Sequence, residues 1–178
     1  SNVKRILDIG TGSGCIACAC AYVFTATIVD AVDIETTAVK VANKNVRDHQ
    51  LQQRVNVIES DLFSNLQDKK YDLIISNPPY VSDQEISELP AEYHHEPMTG
   101  LRADENGLAL VRKILTTAAD FLTDHGILIV EVGFSQDALI EAMPNVPFFW
   151  FEFQNGGEGV FMLNKKQLSA ISVPGPIS

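Results

Sequence analysis

Short apolar runs recur along the chain at intervals that suit strands separated by helices. Four of these runs, at residues 5–9, 27–32, 54–60 and 71–76, are rich in β-branched side chains and predict buried strands. The segment 15–24, between the first two runs, has the length and composition of a helix. Because strands alternate with helices, the sequence predicts an α/β fold with a mostly parallel sheet and helices on both faces.

The second half of the chain continues this alternation and then departs from it. A helix is predicted over about 105–122, a strand at 127–132 and a short helix near 136–143. Two apolar runs, 148–153 and 160–163, then flank a turn rich in Asn and Gly, which predicts an antiparallel hairpin. The dense aromatic content of the first run is interpreted as a buried strand rather than as a platform for stacking.

One connection is unusually long for a compact domain. It runs from Asn77 to about Asp104 and contains four prolines. Connections of this length are usually functional.

The organisation as a whole predicts one domain over residues 1–167 and a flexible tail over 168–178, because the tail contains Pro and Gly with few apolar side chains.

A glycine-rich turn follows the first predicted strand and precedes the first predicted helix, an arrangement typical of nucleotide sites. Its residues are Gly10, Thr11, Gly12, Ser13 and Gly14. A dinucleotide fingerprint would place its third glycine at position 15, where this chain has Cys15. The turn therefore predicts a nucleotide site and weakens its interpretation as a pyrophosphate site.

Carboxylates stand at the ends of the second and third predicted strands. Asp33 ends the second strand, where a carboxylate can accept hydrogen bonds from both hydroxyls of a ribose. Asp61 follows the third strand. Because ligands of an open α/β sheet bind beyond the carboxyl ends of its strands, the two carboxylates and the glycine turn predict one shared site.

The fourth predicted strand leads into the tetrapeptide Asn77-Pro78-Pro79-Tyr80. Two consecutive prolines remove two backbone donors, so the Asn77 side-chain oxygen and the Pro78 carbonyl can both face a ligand as acceptors. Tyr80 offers a flat face for stacking. This arrangement suits a planar NH2 group, such as an amide nitrogen or an exocyclic base nitrogen. The alternative is an ordinary proline turn that closes a buried strand.

The ordered series of glycine turn, Asp33, Asp61 and Asn77-Pro78-Pro79-Tyr80 resembles the class I methyltransferases that use S-adenosylmethionine, and specifically the N5-glutamine methyltransferases. Further motifs resemble the branch that methylates a glutamine of the third protein of the large ribosomal subunit: Tyr93-His94-His95-Glu96-Pro97, Gly100-Leu101, Asn106-Gly107-Leu108, Glu131-Val132-Gly133 and the segment 155–163. The sister branch acts on peptide chain release factors. The resemblance covers about residues 4–167 and implies a Rossmann-like sheet of seven strands, mostly parallel, with a terminal antiparallel hairpin.

The resemblance implies S-adenosyl-L-methionine as the cofactor and S-adenosyl-L-homocysteine as the product. It places the glycine turn around the methionine part, Asp33 on the ribose, and Asp61 with Leu62 beside the adenine. Asp8 approaches the sulfonium or amino end, or it is simply a polar residue near a strand end. The full set of cofactor-binding residues implied in this way is Asp8, Gly10, Thr11, Gly12, Ser13, Gly14, Asp33, Ile34, Asp61, Leu62 and Asn77.

On the substrate side, the resemblance implies that Asn77, Pro78 and Tyr80 are catalytic, because they hold the glutamine amide against the methyl group. The residues implied to bind the substrate are Asn77, Pro78, Pro79, Tyr80, Glu96 and Pro97. Either His94 or His95 could instead act as a base, although the motif suggests that this loop forms a pocket wall. No metal is expected in the mechanism.

Charge and hydropathy restrict the partners. A formal charge of −10 argues against a direct nucleic-acid partner and favours a basic protein, which the resemblance implies to be a ribosomal large-subunit protein or, alternatively, a release factor. No run of 18 uncharged apolar residues occurs and no charged-then-apolar leader opens the chain, so no membrane partner is expected. The sequence is interpreted as a cytoplasmic monomer.

Cys15 and Cys18 form a C-x-x-C pair, and Cys20 follows. This spacing invites a zinc or redox interpretation, but no second ligand pair exists in the sequence, so reduced thiols packed in a helix are the favoured interpretation.

Two rival functions stay open at this point. A DNA or RNA amino-group methyltransferase could use the same tetrapeptide to hold a flipped base, although no basic, aromatic-rich recognition segment is present. A binding module could hold the cofactor without transferring its methyl group. Members of the family also carry a helical amino-terminal domain that helps to recognise the substrate, and the chain opens on its first strand, so the sequence is interpreted as a catalytic domain without that domain.

Overall fold

The computed structural model describes residues 3–78, 108–154 and 157–171. Seven strands lie within these ranges: β1 (Arg5–Ile9), β2 (Ile28–Asp33), β3 (Val55–Glu59), β4 (Tyr71–Ser76), β5 (Leu122–Glu131), β6 (Phe149–Trp150) and β7 (Val160–Asn164). The helices are α1 (Cys15–Val23), α2 (Thr36–Asp48), α3 (Leu108–Phe121), α4 (Gln136–Ala142) and α5 (Lys165–Ser169), with a 3₁₀ turn at Gly133–Ser135. The predicted substrate-binding residues Pro79, Tyr80, Glu96 and Pro97, together with His94 and His95, lie outside the described residues.

The seven strands form one sheet in the order β3-β2-β1-β4-β5-β7-β6. The first five of these are parallel, whereas β7 runs antiparallel to both β5 and β6. The predicted fold class, a mostly parallel seven-stranded sheet with a terminal antiparallel hairpin, is therefore confirmed. The order reverses between β1 and β4, which creates the switch point where ligands of such sheets bind.

Apolar side chains fill both faces of the sheet because successive residues of a strand point to opposite sides. In β1, Ile6 packs with α1 and α2 on one face, whereas Leu7 and Ile9 pack with α3, α4 and α5 on the other. Each fully buried side chain of this size contributes roughly 1.5–3 kcal/mol. Helices on both faces are thus confirmed.

The small residues of α1 explain how this helix packs. Its buried positions are Ala17, Cys18, Cys20 and Ala21, which together allow a close approach to the sheet. All three cysteines are free thiols, and no cluster of metal-ligating side chains occurs among residues 3–78, 108–154 and 157–171. Cys18 and Cys20 behave as small core residues.

Asp30 lies at the centre of a buried polar network that joins neighbouring strands. Its carboxylate, which is fully buried, accepts hydrogen bonds from the Tyr71 hydroxyl at 2.8 Å, Asn56 Nδ2 at 2.8 Å, Lys69 Nζ at 3.1 Å and Arg5 at 3.2 Å. Burial alone would raise the pKa of Asp30, but the hydrogen bonds from Asn56, Tyr71 and Lys69 together lower it. The charge is therefore stably held inside the protein.

The domain extends further than predicted. The tail was expected to begin at residue 168, yet Leu168 is buried within α5 and belongs to the core. Asn164 and Gln167 form a capping box that begins this helix, a local signal that the predicted boundary ignored. The predicted start of the tail is therefore wrong, while residues 172–178 lie outside the described residues.

The interpretation of the aromatic run as a buried strand is wrong for two of its five aromatic side chains. Phe148 and Trp150 pack against Phe161 in the core, as expected. Phe149 and Phe153, in contrast, are 55% and 54% exposed. The physical reason is that β6 is the edge of the sheet, so one of its faces has no covering layer in the part of the chain that the structure describes.

No described helix is long and apolar enough to cross a membrane.

Candidate functional site

Those predicted site residues that the structure describes lie along one edge of the sheet. Ile9, the last residue of β1, is level with Val32 of β2 and Ser76 of β4, and Asp33 is level with Glu59 of β3. The segments that follow these strands therefore emerge side by side. This edge, on both sides of the switch point, brings together the glycine turn, Asp33, Asp61 and Asn77.

The glycine turn begins the site. The amides of Gly10 and Thr11 both donate to the Val32 carbonyl at 2.9 Å, which ties the turn to β2. Gly10, Gly12 and Gly14 have φ values of 69°, 54° and 79°, a conformation that side chains with a Cβ rarely adopt. A Cβ on Gly10 or Gly12 would meet no atom of the described residues within 4 Å, apart from their own chain neighbours. With respect to these residues, the backbone of the turn is open to the close approach of a ligand.

Asp33 holds the turn in place. Its Oδ2 accepts the Gly12 amide at 2.9 Å, and its Oδ1 accepts the Glu35 amide at 2.9 Å. Each carboxylate oxygen can accept a second hydrogen bond, so Asp33 keeps the capacity to bind hydroxyl groups. The sequence predicted the position of Asp33 at the site but not its bond to the glycine turn. Ile34, next along the chain, is 61% exposed at the same edge.

Asp8 is the most unusual ionisable residue of the site. Its carboxylate is fully buried, and its Oδ2 accepts hydrogen bonds from the Thr11 hydroxyl at 2.5 Å and the Ala17 amide at 3.1 Å. Its Oδ1 has no hydrogen-bond partner among the described residues. Burial raises the pKa of Asp8 to about 6, against the lowering effect of the hydrogen bonds from Thr11 and Ala17, and the Asp33 charge adds a smaller increase. A nearby cation would stabilise this carboxylate.

A compact turn follows β3. The Ser60 amide donates to the Asp33 carbonyl at 2.8 Å, and the Ser60 hydroxyl donates to the Leu62 carbonyl at 3.0 Å and accepts the Asn65 amide at 3.1 Å. Leu62 has a φ of 48°, while Asp61 is exposed. Ser60 was missed in the sequence, although a serine after a strand and before Asp is a known signal for such turns.

The end of β4 is fixed by a second serine that the sequence analysis missed. The Ser76 hydroxyl donates to the Ile9 carbonyl at 3.0 Å, which joins the ends of β4 and β1 at the switch point. Asn77 is exposed directly after this serine, and Pro78 is buried. The Asn77 side chain is therefore accessible to a ligand beside the glycine turn.

Comparisons with known proteins agree with this architecture. The methyltransferase small domain family matches residues 1–92. A ribosomal protein uL3 glutamine methyltransferase from Francisella tularensis is 48% identical over 94% of this chain and 53% of that protein, and one from Neisseria gonorrhoeae is 43% identical over 93% and 55%. The chain thus spans about half the length of these curated relatives.

Among solved structures, a methyltransferase from Pyrococcus furiosus has a TM-score of 0.67 at 17% identity, covering 92% of this chain and 75% of that one. At this identity the likeness supports the fold alone. The family match covers the glycine turn, the three predicted carboxylates and the tetrapeptide that begins at Asn77. From its fold, its site and the extent of this match, the chain belongs to the methyltransferase small domain family.

Proposed function

We propose that this chain is the catalytic domain of a protein-(glutamine-N5) methyltransferase whose substrate is the third protein of the large ribosomal subunit. The relatives named for this activity are 48% and 43% identical over nearly the whole chain. The observation that carries the proposal is the meeting of the glycine turn, Asp33 and Asn77 at the switch point of the sheet. The same clamp would also suit a release factor, which is the alternative substrate.

S-adenosyl-L-methionine is the proposed cofactor, and the described residues fit its chemistry. The unpartnered Oδ1 of Asp8 suits its positively charged sulfonium or amino end, and the open backbone of the glycine turn suits its methionine part. Asp33 retains acceptor capacity for the ribose hydroxyls. Ile34 and Leu62 would supply apolar contacts to the cofactor, and Asp61 would lie beside its adenine. When bound, this group supplies an electrophilic methyl on a sulfonium.

Asn77 and Pro78 are proposed to hold the glutamine. The Asn77 side-chain oxygen and the Pro78 carbonyl accept the two N–H groups of the amide, which orients its nitrogen toward the methyl group. An amide nitrogen is a weak nucleophile because its lone pair is delocalised, so alignment and the stabilisation of its developing positive charge supply the help. Tyr80, which lies outside the described residues, is proposed to pack on the amide plane, with Pro79, Glu96 and Pro97 around it.

The transfer balances without a metal or a covalent enzyme intermediate. With S-adenosyl-L-methionine bound by the glycine turn and Asp33, a bond would form between the amide nitrogen and the methyl carbon as the carbon–sulfur bond broke, and the sulfur would leave as the neutral thioether of S-adenosyl-L-homocysteine. The positively charged nitrogen then loses one proton, which passes from the acceptors at Asn77 and Pro78 to solvent. The clamp therefore binds, orients and receives charge.

Mass spectrometry tests the substrate. The protein in its full natural length is incubated with labelled S-adenosylmethionine and, side by side, unmethylated ribosomal large-subunit protein, release factor and DNA. Label on a glutamine of the ribosomal protein supports the proposal. Label on the release factor alone would replace the substrate and keep the chemistry, whereas label on DNA alone would exclude glutamine as the acceptor.

The clamp is tested with Asn77→Ala. Transfer should fall by at least about 100-fold, because a positioning contact to the reacting atom is lost. Cofactor affinity, measured by calorimetry, should stay within about three-fold of wild type because the glycine turn and Asp33 are intact. Asn43→Ala in α2 is the matched control and should leave both quantities unchanged. Wild-type transfer by Asn77→Ala would refute the clamp.

A further inference from the structure

An exposed surface of aromatic and acidic side chains lies beyond Asn77, at the far end of the site edge. We call it the aromatic face: its rings are those of the exposed Phe149 and Phe153 and the half-buried Phe151 between them, with Phe134 in the turn after β5, and Glu152 and Glu158 are its neighbours in the sequence. It was not foreseen from the sequence, because the aromatic run was expected to be buried. The catalytic roles proposed above use none of these residues.

The aromatic rings form a row on the outer side of the edge strand. The centroids of Phe149 and Phe151 are 5.4 Å apart, and those of Phe151 and Phe153 are 5.9 Å apart. These three residues share one side because alternate positions of an extended chain point the same way. Phe134, in the turn after β5, is 90% exposed. Contiguous exposed apolar groups of this kind usually mark an interaction site.

The sheet register places the aromatic face at the same edge as the glutamine clamp. Val130 of β5 is level with Ser76, the next residue Glu131 is level with Val160 of β7, and the Phe151 amide donates to the Val160 carbonyl at 2.9 Å. Phe151 therefore lies at the level where β4 gives way to Asn77. Strand β6 lies three strand spacings from β4, with β5 and β7 between them, which is a distance of about 14 Å.

Two glycines fix the turn that carries Phe134 against the hairpin. A Cβ on Gly159 would fall only 2.2 Å from the Gly133 carbonyl oxygen, so the two backbones touch. The Val132 amide also donates to the Gly159 carbonyl at 2.7 Å. The turn that contains Phe134 is thus held against the hairpin that carries the row of rings.

The charged side chains around the aromatic face are all acidic. Residues 126–164 contain five acidic side chains and no Lys, Arg or His. Glu152 and Glu158, which are close to the three rings in the sequence, are both exposed. Aromatic faces could also stack on nucleic-acid bases, but a single-strand site needs a positive groove for the phosphates. Carboxylates beside exposed rings favour Lys and Arg side chains instead, through ion pairs and cation–π contacts.

From this geometry we infer that the aromatic face binds a basic, extended segment of the protein substrate, an inference that rests on the proposed function. An extended chain spans about 3.3–3.6 Å per residue, so about 14 Å corresponds to roughly four residues. With its glutamine at Asn77, the substrate places Lys or Arg about four to six residues away over the rings. The face thereby selects glutamines that have basic residues at this spacing.

The rings are tested with Phe149→Ser/Phe153→Ser in the full-length protein. The KM for unmethylated ribosomal protein should rise about ten-fold, with kcat and the KM for S-adenosylmethionine unchanged, because only remote substrate contacts are removed. Tyr22→Ser/Val23→Ser is the matched control, since these residues of α1 are 54% and 73% exposed. This control should leave all three constants unchanged.

The carboxylates are tested with Glu152→Gln/Glu158→Gln. The KM for the protein substrate should rise about three- to ten-fold, and its increase with added salt should become shallower because two attractive charges are gone. Asp68→Asn/Asp120→Asn removes two exposed charges near the opposite edge of the sheet and should retain the wild-type salt dependence.

Direct binding separates this inference from the proposed function. A labelled 15-residue peptide with a central glutamine and an Arg five positions away is titrated by fluorescence anisotropy, beside a peptide in which that Arg is Ala. Wild type should prefer the Arg peptide about ten-fold, and both double variants should lose this preference. If wild type transfers no methyl to glutamine but shows this preference, the proposed function fails and the binding face stands.

Three results would overturn the inference. The first is equal binding and turnover by the variants and wild type. The second is a wild-type dimer in sedimentation that Phe149→Ser/Phe153→Ser dissociates, because the face would then bind a second copy. The third is a fall in Tm of this variant well beyond that of Tyr22→Ser/Val23→Ser, because the face would then be covered by the protein's own chain.

Discussion

The buried carboxyl of Asp8 gives a pH dependence that can be worked out from the structure. Its pKa is raised from 3.8 to about 6, so the folded protein binds this proton more tightly than the unfolded chain does. The contribution of Asp8 to the free energy of unfolding should therefore be highest below pH 3.8, fall between 3.8 and about 6, and level off above. A shift of this size is worth about 3 kcal/mol in total, of which about 2 kcal/mol falls between pH 4.5 and 7.

Asp8→Asn removes the titration. Its amide leaves a buried N–H with no partner, which costs about 1–3 kcal/mol at every pH. The test is consequently the slope rather than the absolute value. Urea unfolding of both proteins is measured from pH 4.5 to 7, and the stability of the variant relative to wild type should rise by about 2 kcal/mol.

The titration of the other carboxylates cancels when the free energy of unfolding of wild type is subtracted from that of the variant at each pH. Asp68→Asn, at an exposed position, is the control and should show no such rise. A difference between Asp8→Asn and wild type that stays flat from pH 4.5 to 7 would show that Asp8 has an ordinary pKa, and the proposed role of its unpartnered oxygen toward a cation would lose its basis.

The buried network and the hairpin give two further predictions. Tyr71→Phe removes the hydroxyl donor at 2.8 Å from Asp30 and should lower the free energy of unfolding by about 1.5–3 kcal/mol in urea titrations, whereas an unchanged stability would show that Asp30 finds another donor. Gly159→Ala should be more damaging, because the new Cβ meets the Gly133 backbone and φ is 76°; a Tm within 2 °C of wild type, on the order of 0.5 kcal/mol, would contradict this close contact.

Local sequence was sufficient for most of the fold. The strands β1 and β4 begin and end where their apolar runs predicted, and β2, β3 and α1 differ by one or two residues. These elements could be predicted because each contains a run of apolar residues that can be recognised from consecutive positions alone. The predicted strand at 127–132 begins earlier, at Leu122, because a pairing with Tyr71 across an irregularity extends β5.

The sequence predicted where the described candidate residues lie on the sheet but not which contacts they make. The glycine turn, Asp33, Asp61 and Asn77 could be placed at one edge, because the carboxyl ends of parallel strands meet there. That Asp33 binds the Gly12 amide, and that Ser60 and Ser76 tie neighbouring strand ends together, depends on atoms brought close by the sheet. The roles predicted for Tyr80 and the other residues outside the described ranges stay predictions.

The sequence by itself determined the alternation of strands and helices and the position of the glycine turn, and it predicts the chemistry of the clamp, because these follow from the order and type of neighbouring residues. Only the tertiary structure decided which side of the aromatic run is exposed and which oxygen of Asp8 lacks a partner. Both depend on contacts between residues that are distant in the sequence. Strand β6 forms an edge of the sheet, and the described residues around Asp8 supply donors to one of its two oxygens.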